Sequence, residues 1–234
     1  MKAEKVFWIM KTIYHGSTEI IKTPVFGKGA FTNDYGRGFY CTENLELAKE
    51  WACADDVDGY ANVYELNMRG LSVLNLNSED FNILNWLAVL TRFRSYWQKN
   101  TISEEAKNYL QEHFYVDVDQ FDVIVGYRAD DSYFTFAQDF VSNAISLRKL
   151  SQAMRLGKLG EQIVLKSEKA FRQIHFVESV PAEAEEYFSR KKSRDSEARR
   201  QYRLSKGEKD SISDVFMLDI MRQGIISGDE RLQI

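Results

Sequence analysis

The chain has 234 residues, of which 44% are hydrophobic and 13% aromatic, which excludes wholesale disorder because that much apolar material can form a packed core. This length fits one domain, or one domain with an appendage, since single domains usually hold about 100–200 residues. The 31 basic and 35 acidic residues give a formal net charge of −4, so we expect no overall electrostatic attraction to nucleic acid or to an acidic membrane.

The cysteines, histidines and apolar runs exclude further classes of protein. Cys41 and Cys53 cannot form a disulfide framework, and the three histidines are too far apart in sequence for a metal-ligand motif. The apolar run from Phe7 to Met10 is too short for the core of a signal peptide. The sequence contains no stretch of about eighteen consecutive apolar residues, so we expect no membrane span. We therefore expect a cytoplasmic protein with no metal and no membrane partner.

Short β-like runs bounded by Gly, Asn or Asp are interspersed with amphipathic stretches over most of the chain. The predicted strands are Thr12–Tyr14, Phe39–Cys41, Val63–Leu66, Val73–Leu76, Val123–Val125 and Ile163–Leu165. The predicted helices are Asn44–Ala54, Phe81–Tyr96, one that Ser103 opens as N-cap, Phe134–Phe140 and Ile145–Leu156. Because the strands do not alternate regularly with long helices, the pattern favours an α+β domain over a doubly wound parallel sheet.

The composition changes after Val177. More than half of the residues from Ala182 to Asp210 are charged, which indicates an exposed helix or a flexible connector. The segment from Ile212 to Arg222 regains an apolar stripe and predicts an amphipathic helix that packs on the main domain or on a partner. We therefore divide the chain into a domain over 1–180 and a charged helical extension over 181–234.

Three fragments carry the residue types of a chemical site. Tyr14–Ser17 (YHGS) ends a predicted strand, although a lone histidine is more often structural than functional. Residues Asp34–Tyr40 (DYGRGFY) form a Gly-x-Gly turn that enters a strand, without the full glycine spacing of a Rossmann motif. Residues Gly160–Ser167 (GEQIVLKS) place Glu161 and Gln162 at the head of a short strand. The order and spacing of the three fragments are more specific than any one of them.

In that order, the fragments resemble the ADP-ribosyltransferase superfamily in its diphtheria-toxin and poly(ADP-ribose) polymerase branch. This branch carries a His-Gly-Ser/Thr strand, a Gly-x-Gly-apolar-Tyr strand before a helix, and a strand that opens with Glu or a substitute. The chain looks closest to a bacterial family of small uncharacterised relatives, whose members also share a segment similar to Phe121–Asp131. The resemblance covers about residues 12 to 177. It implies a split antiparallel sheet with an NAD cleft between its halves, surrounded by helices.

The resemblance implies a mono-ADP-ribosyltransferase, with a bacterial toxin or effector as one role that fits. Such an enzyme transfers ADP-ribose from its co-substrate NAD to a macromolecular acceptor, protein or nucleic acid, and releases nicotinamide. Cleavage builds positive charge on the ribose, so the site must hold the ribose and offer electron-rich groups. Two other functions stay open: a catalytically inactive NAD- or nucleotide-binding module of the same fold, and a protein-interaction factor that uses the C-terminal helix.

The resemblance also implies a role for each matching residue. His15 would hydrogen-bond a hydroxyl of the adenosine-side ribose, Gly16 would pair its backbone with the carboxamide, and Tyr40 would stack on the nicotinamide ring. His15 is expected as a binding residue and not as a proton shuttle. The other expected cofactor-binding residues are Ser17, Arg37, Gly38, Phe39, Asp130 and Asp131, with Arg128 as a further candidate for the diphosphate.

The third fragment contributes one side chain to the cleft, because successive residues of a strand point to opposite sides. We favour Gln162, with Glu161 as the alternative; with Tyr40 and His15, they complete the expected catalytic set. A glutamate would stabilise the cationic ribose, whereas a glutamine accepts a hydrogen bond without adding negative charge. Gln162 therefore argues against polymer elongation and leaves mono-ADP-ribosylation, slow NAD hydrolysis and an inactive binder open.

Several of these residues have structural alternatives. Asp130 and Asp131 would serve equally well as caps of the helix that follows, and an arginine more commonly lies in solvent. Trp51, Trp86 and Trp97 are expected in the core, and Cys41 is expected to be a packing residue.

The extension has a basic segment. Between Ser189 and Lys209, nine basic and three acidic residues give a local charge of +6, which leaves −10 for the rest of the chain. Such a run is usually a solvated helix face. The alternative is a surface that brings nucleic acid, or an acidic partner such as an antitoxin, to the cleft. Only Tyr202 offers stacking within the run, so reading of bases is not expected.

Overall fold

The computed structural model describes residues 10–94, 100–129, 131–156 and 160–232. Within these ranges the chain forms two β-sheets surrounded by α-helices, which confirms the α+β class. The strands are β1 (Met10–Ser17), β2 (Phe39–Cys41), β3 (Gly59–Asn67), β4 (Val73–Asn75), β5 (Val123–Tyr127), β6 (Glu161–Leu165) and β7 (Ile174–Ala182). The helices are α1 (Leu45–Ala52), α2 (Ile83–Phe93), α3 (Thr101–His113), α4 (Asp131–Val141), α5 (Leu147–Ala153), α6 (Glu168–Arg172), α7 (Ala184–Gly207) and α8 (Met217–Arg222). No helix in this part of the chain is long and apolar enough to cross a membrane.

The two sheets are joined by one backbone bridge and diverge beyond it. The first has the order β1–β3–β7 and is antiparallel, and the second has the order β2–β6–β5–β4, with only β4 and β5 parallel. Tyr14 of β1 and Thr42, just after β2, join them by exchanging N–H···O=C hydrogen bonds of 2.8 and 2.9 Å. Past Tyr14, the described chain has no further bridge between β1 and β2. An opening therefore begins at His15.

The core has two main parts. The larger lies between the second sheet and helices α2–α5, where Trp86, Phe136 and Phe140 are buried among aliphatic side chains. The smaller is built around Tyr64 and Ile163, with side chains from both sheets. The prediction that Trp86 belongs to the core is confirmed, and its indole N–H donates to the Tyr127 carbonyl at 3.1 Å. Trp97, also expected in the core, and the predicted helix end at Tyr96 lie outside the described residues.

All six predicted strands are present, but β7 was not predicted. Its sequence, IHFVESVPA, has Pro181 near its end and no clear alternation of apolar and polar residues. Proline lacks the N–H that a central strand needs, and it is tolerated where a strand lies at a sheet edge. β7 is an edge strand, paired only with β3 among the described elements.

The charged segment after β7 is helix α7, not a flexible connector. Many of its basic side chains pair with acidic groups of this chain: Arg190 with Glu46, Lys192 with Asp55, Arg194 with Glu50, Arg199 with Asp195, Arg200 with Glu197, and Lys206 with Asp139. Four of these partners, Glu46, Glu50, Asp55 and Asp139, lie outside residues 189–209, so they offset four of the six net positive charges of the segment. The division at residue 180 stays a prediction, although that residue lies within β7.

The predicted amphipathic helix from Ile212 to Arg222 was wrong in its first half. The helix begins only at Met217, and Ile212 is fully exposed. Asp214 instead receives two hydrogen bonds of 2.7 Å from the Arg148 guanidinium, which holds this segment in a turn. Met217 and Ile220 are buried against the larger core, so α8 packs on the main domain.

The predicted N-cap of α3 was also wrong. The helix begins at Thr101, and the Asn100 side chain accepts a hydrogen bond of 2.9 Å from the backbone N–H of Ser103. Ser103 is therefore the third residue inside the helix. Its hydroxyl is buried and has no hydrogen-bond partner among the described residues.

Candidate functional site

A cavity of about 630 Å³ lies where the sheets part. His15 and Gly16 of β1 line one side, and Gly38, Phe39 and Tyr40 line the other. Gln162 of β6 also contributes, and the long connection between β1 and β2 adds Asp34 and several neighbours. Small-molecule sites typically occupy about 300–1,000 Å³, so this cavity has the size of a nucleotide or cofactor site.

The connection that covers the cavity is tied to β3. The side chain of Asn62, fully buried, accepts from the Ile21 N–H at 2.9 Å and donates to the Glu19 carbonyl at 3.1 Å. The Tyr64 hydroxyl donates to the Ile21 carbonyl as well. Glu19 and Ile21 both line the cavity, so β3 holds this part of its wall in place.

His15 is held in one tautomer. Its Nδ1 lies 2.7 Å from the Tyr40 carbonyl oxygen, and its ring stacks on Phe39 with centroids 4.3 Å apart. Because a carbonyl only accepts, Nδ1 carries the proton and Nε2 of the neutral ring is an acceptor. Burial lowers the pKa of His15 below its ordinary value, and the hydrogen bond to Tyr40 opposes this only in part. The residue is thus built to accept a hydrogen bond.

Gly16 directs its backbone polar groups at the opening, and its lack of a side chain allows α1 to pack closely on β1. Tyr14 directs its N–H and C=O towards Thr42, and backbone groups two residues apart in a strand face the same side. The N–H and C=O of Gly16 therefore face the opening. A Cβ at Gly16 would lie 2.1 Å from the Ala48 carbonyl oxygen, so the close packing of α1 on β1 by itself requires a glycine.

The second fragment forms a closed turn around the Tyr40 hydroxyl. That hydroxyl donates to the Gly36 carbonyl at 2.6 Å and accepts from the Tyr35 N–H at 3.0 Å. Gly36 has φ +73°, a left-handed conformation that favours glycine. Burial raises the pKa of Tyr40, so the phenol stays neutral and its ring serves as a wall of the cavity.

Of the two residues that open β6, Gln162 lines the cavity and Glu161 does not. Gln162 is only 5% exposed, and its Nε2 donates to Asp34 Oδ2 at 3.2 Å. Its Oε1 has no hydrogen-bond partner among the described residues. Glu161 is exposed on the other face, where its carboxylate accepts from Asn77 Nδ2 at 2.8 Å.

Asp34 is a site residue that the sequence did not reveal. It is 4% exposed and lines the cavity. Its Oδ1 accepts from Arg94 Nε at 2.7 Å, and its Oδ2 accepts from the Ala129 N–H at 2.8 Å. Burial raises the pKa of Asp34, whereas the charge of Arg94 and the Ala129 N–H oppose that shift. The position of Asp34, two residues before Gly36 in the Gly-x-Gly fragment, is the sequence feature that could have predicted its place in the site. No sequence feature pointed to Arg94, at the end of α2.

Several of the other expected cofactor-binding residues do not line the cavity. Ser17 and Arg37 do not line the cavity: the Ser17 hydroxyl accepts from the Glu19 N–H at 3.1 Å, and Arg37 is exposed. Asp130 lies outside the described residues, and Asp131 is the first residue of α4. The expected contacts of Ser17 and Arg37 with a bound nucleotide are therefore not supported by their positions.

Trp51 was wrongly expected in the core. It is half-buried and lines the cavity together with Arg128, whose guanidinium carbon lies 4.1 Å from the centre of the indole ring. This stacking places a cation at the wall. Cys41 is fully buried, and burial raises the pKa of its thiol, so its expected packing role is confirmed. Among the described residues, no group of three or more His, Cys, Asp or Glu side chains could hold a metal ion.

A family model described as a protein of unknown function, DUF3990, matches residues 11–176. The chain belongs to the DUF3990 family. No curated protein and no solved structure matches it. The DUF3990 match runs from β1 into β7, and among the described residues that line the cavity Lys191 alone lies beyond it. Helix α7 supplies that residue.

Proposed function

We propose that this DUF3990 protein is an NAD-dependent mono-ADP-ribosyltransferase with the split sheet of that superfamily. One observation carries the proposal: His15 and Gly16, Gly38 to Tyr40, and Gln162 come from three distant fragments and line the same cavity. These are the fragments whose order resembles the superfamily. The parting of the two sheets at the Tyr14–Thr42 bridge agrees with a cleft between the halves of a split sheet.

The groups at the cavity suit the parts of NAD. Nε2 of His15 is an acceptor for a ribose hydroxyl, and the backbone N–H and C=O of Gly16 suit a carboxamide. The ring of Tyr40 offers a flat apolar face for nicotinamide. Lys28 and Arg128 bring positive charge to the lining, which suits the diphosphate.

The reaction breaks the C–N bond between nicotinamide and ribose. The bonding electron pair leaves with the pyridinium ring, which departs as neutral nicotinamide, and positive charge develops on the ribose. A nucleophilic group of the acceptor then forms a bond to C1′ and loses its proton. The protein holds the ribose and the nicotinamide in position, and it directs its own electron-rich oxygen atoms at the developing positive charge. Since Gln162 is neutral, we assign transfer of a single ADP-ribose to a protein or nucleic acid rather than chain elongation.

The second candidate is a module of the same fold that binds NAD without turnover. The pairing of Asp34 with Arg94 favours it, because the carboxylate nearest Gln162 is already neutralised by a guanidinium at 2.7 Å. NAD that raises the melting temperature with no nicotinamide released, even in the presence of cell lysate, would support this candidate.

The test is nicotinamide release from NAD by the wild-type protein and by His15→Ala and Tyr40→Ala. We expect each variant to lose activity by about tenfold or more, since each removes a binding contact worth about 1.4 kcal/mol or more. Arg37→Ala is the matched control, because Arg37 is exposed and does not line the cavity. It should retain wild-type activity. Equal release by the wild type, His15→Ala and Tyr40→Ala would contradict the proposal.

A further inference from the structure

Asp34 and Gln162 form a buried, hydrogen-bonded pair in the wall of the cavity. From their geometry we infer that Asp34 is the positioning residue of Gln162: it holds the side-chain nitrogen inward, so that the side-chain oxygen is presented to a hydroxyl of the nicotinamide-side ribose. The part of this inference that concerns the ribose rests on the proposed function. The part that concerns the amide does not.

The orientation of the amide follows from what surrounds Asp34. Both carboxylate oxygens face donors: Arg94 at Oδ1, and the Ala129 N–H with Gln162 Nε2 at Oδ2. The Arg94 guanidinium at 2.7 Å and the Ala129 N–H at 2.8 Å both stabilise negative charge on Asp34, so it acts as a carboxylate whichever way the Gln162 amide is turned. A carboxylate only accepts hydrogen bonds. Gln162 must therefore turn its NH₂ towards Asp34 and its oxygen away from it.

Asp34 itself is fixed from two further elements. Arg94 ends α2, and its guanidinium also donates to the Ala129 carbonyl at 2.7 Å. The same residue, Ala129, follows β5 and donates its N–H to Asp34. The carboxylate is thus held by a side chain from one direction and by backbone from another. Its position does not depend on the flexibility of a single side chain.

Gln162 is suited to present an acceptor. Its backbone lies in β6 opposite Gly126 of β5, and its side chain is 95% buried and lines the cavity. Buried acceptors in proteins are nearly always satisfied, yet no described group of this chain donates to Gln162 Oε1. The matching ligand group is a donor. The phosphate and carbonyl oxygens of NAD cannot donate, whereas its ribose hydroxyls, adenine amino group and carboxamide NH₂ can. Since Gly16 is assigned to the carboxamide and Tyr40 to the nicotinamide ring, we assign the neighbouring ribose hydroxyl to Gln162 Oε1.

The substitution Asp34→Asn tests this arrangement while keeping the shape of the side chain. The introduced asparagine has an NH₂ of its own that can donate to Gln162 Oε1, so the amide no longer has a required orientation. The paired change Asp34→Asn with Gln162→Glu reverses the polarity of the hydrogen bond and returns an acceptor oxygen to the cavity. The single variant should lose recognition of the hydroxyl, and the double variant should regain it.

The first readout is affinity for NAD and for two analogues, one without the 2′-hydroxyl and one without the 3′-hydroxyl of the nicotinamide-side ribose. We expect the loss of one of these hydroxyls to weaken binding to the wild type about tenfold or more. In Asp34→Asn and Gln162→Leu, the ratio of the affinity for NAD to the affinity for that analogue should fall below about threefold. Asp117→Asn, an exposed residue away from the cavity, is the control and should keep the wild-type ratio. If Asp34→Asn weakens NAD and both analogues by equal factors, Asp34 is only structural and the inference is overturned.

The second readout needs no ligand. In the ¹⁵N spectrum of the free protein, the side-chain NH₂ of Gln162 should exchange slowly with solvent in the wild type and faster in Asp34→Asn. An exchange rate equal to that of exposed glutamines in the wild type overturns the inference. If NAD does not bind at all, the proposed function fails, and this spectrum still decides whether Asp34 positions the amide. Should Asp34→Asn fail to fold, the wild-type spectrum and the ratio measured with Gln162→Leu decide the matter.

Discussion

Single polar atoms determine what the cavity can recognise. His15 presents an unprotonated Nε2 because its Nδ1 proton is committed to the Tyr40 carbonyl. Gln162 presents an oxygen because its nitrogen is committed to Asp34. Both residues are acceptors whose other end is bound inside the protein, an arrangement that favours a ligand rich in hydroxyl groups.

If the proposed function holds, the protonation state of His15 predicts how the affinity for NAD depends on pH. Burial lowers the pKa of His15 below 6.5, so the ring stays neutral down to that pH and Nε2 remains an acceptor. We expect the affinity to be constant above pH 6.5 and to fall as the pH drops through the lowered pKa. The His15 contribution to the free energy of unfolding has the same sign: it is fully present above pH 6.5 and lost below it, because the unfolded chain takes up the proton first.

Isothermal titration between about pH 5 and 8 measures this dependence, with His15→Asn as the control. Asparagine keeps a donor for the Tyr40 carbonyl and does not titrate, so its profile should be flat over this range. A wild-type midpoint above pH 6.5 would mean that His15 is not the neutral, buried acceptor described above.

At the level of helices and strands, the ends of elements depend on single side chains. Asn44, Asn82, Asn100, Ser146 and Ser167 each cap a helix by accepting from a backbone N–H. Residue type alone did not distinguish Asn100 from Ser103, since both are good capping residues. The apolar stripe after Ile212 was equally ambiguous, because the turn around Asp214 is set by Arg148, which lies 66 residues earlier.

The cap of α3 can be tested by comparing Asn100→Ala with Ser103→Ala. The first removes the acceptor of the Ser103 N–H and should lower the free energy of unfolding by about 0.5–2 kcal/mol. The second removes a buried hydroxyl that has no partner among the described residues. It should leave stability within about 0.5 kcal/mol or raise it. Urea denaturation measures both, and a larger loss from Ser103→Ala would assign the cap to Ser103 after all.

Over the whole molecule, α7 is attached to the part of the chain that the family model matches. Arg194 makes hydrogen bonds of 2.9 and 2.6 Å to the carboxylate of Glu50 in α1, which is 3% exposed. Near the other end of α7, the ring of Tyr202 packs at a tilt on Phe136 of α4, with ring centroids 4.0 Å apart. Lys191 of the same helix lines the cavity, so α7 both stabilises the domain and contributes to the site.

A chain ended at residue 183 should therefore be much less stable than the full chain. It leaves the Glu50 carboxylate buried without Arg194, and breaking a buried ion pair from one side costs about 3–5 kcal/mol. Thermal denaturation of both chains checks this. The cut also removes Met217 and Ile220 of α8 from the larger core, so an unchanged melting temperature would make the whole segment after residue 183 dispensable for stability.

Lys191→Ala in the full chain separates the contribution of α7 to the cavity from its contribution to the stability of the fold. We expect its stability to stay within about 0.5 kcal/mol of wild type. Its affinity for NAD should fall at low salt, with a smaller effect at high salt because mobile ions screen the contribution of a partly exposed cation. An affinity equal to that of the wild type at low salt would exclude Lys191 from the recognition of NAD.

The sequence by itself determined the fold class, six of the strands and the position of most helices. These follow from local properties: β-branched and aromatic runs, apolar residues at helical spacing, and glycine or asparagine at the ends of elements. The order of the three fragments was readable for the same reason, because each is a short continuous motif. The strand β7 was missed, and the expectations for the start of α8 and for Trp51 were wrong, because an edge position or a distant partner decided each outcome.

Only the tertiary structure decided how the site is built. The pairing of β5 with β6 and the cavity beside them make Gln162, and not Glu161, the residue that faces the opening. Asp34 meets Arg94 and Gln162 across 60 and 128 residues of chain, a separation at which periodicity and turn chemistry carry no information. Charge balance behaves in the same way: four basic side chains of α7 pair with acidic groups far away in sequence, Glu46, Glu50, Asp55 and Asp139. Contacts between distant residues arise from the packing of whole elements, and their partners cannot be read from either segment alone.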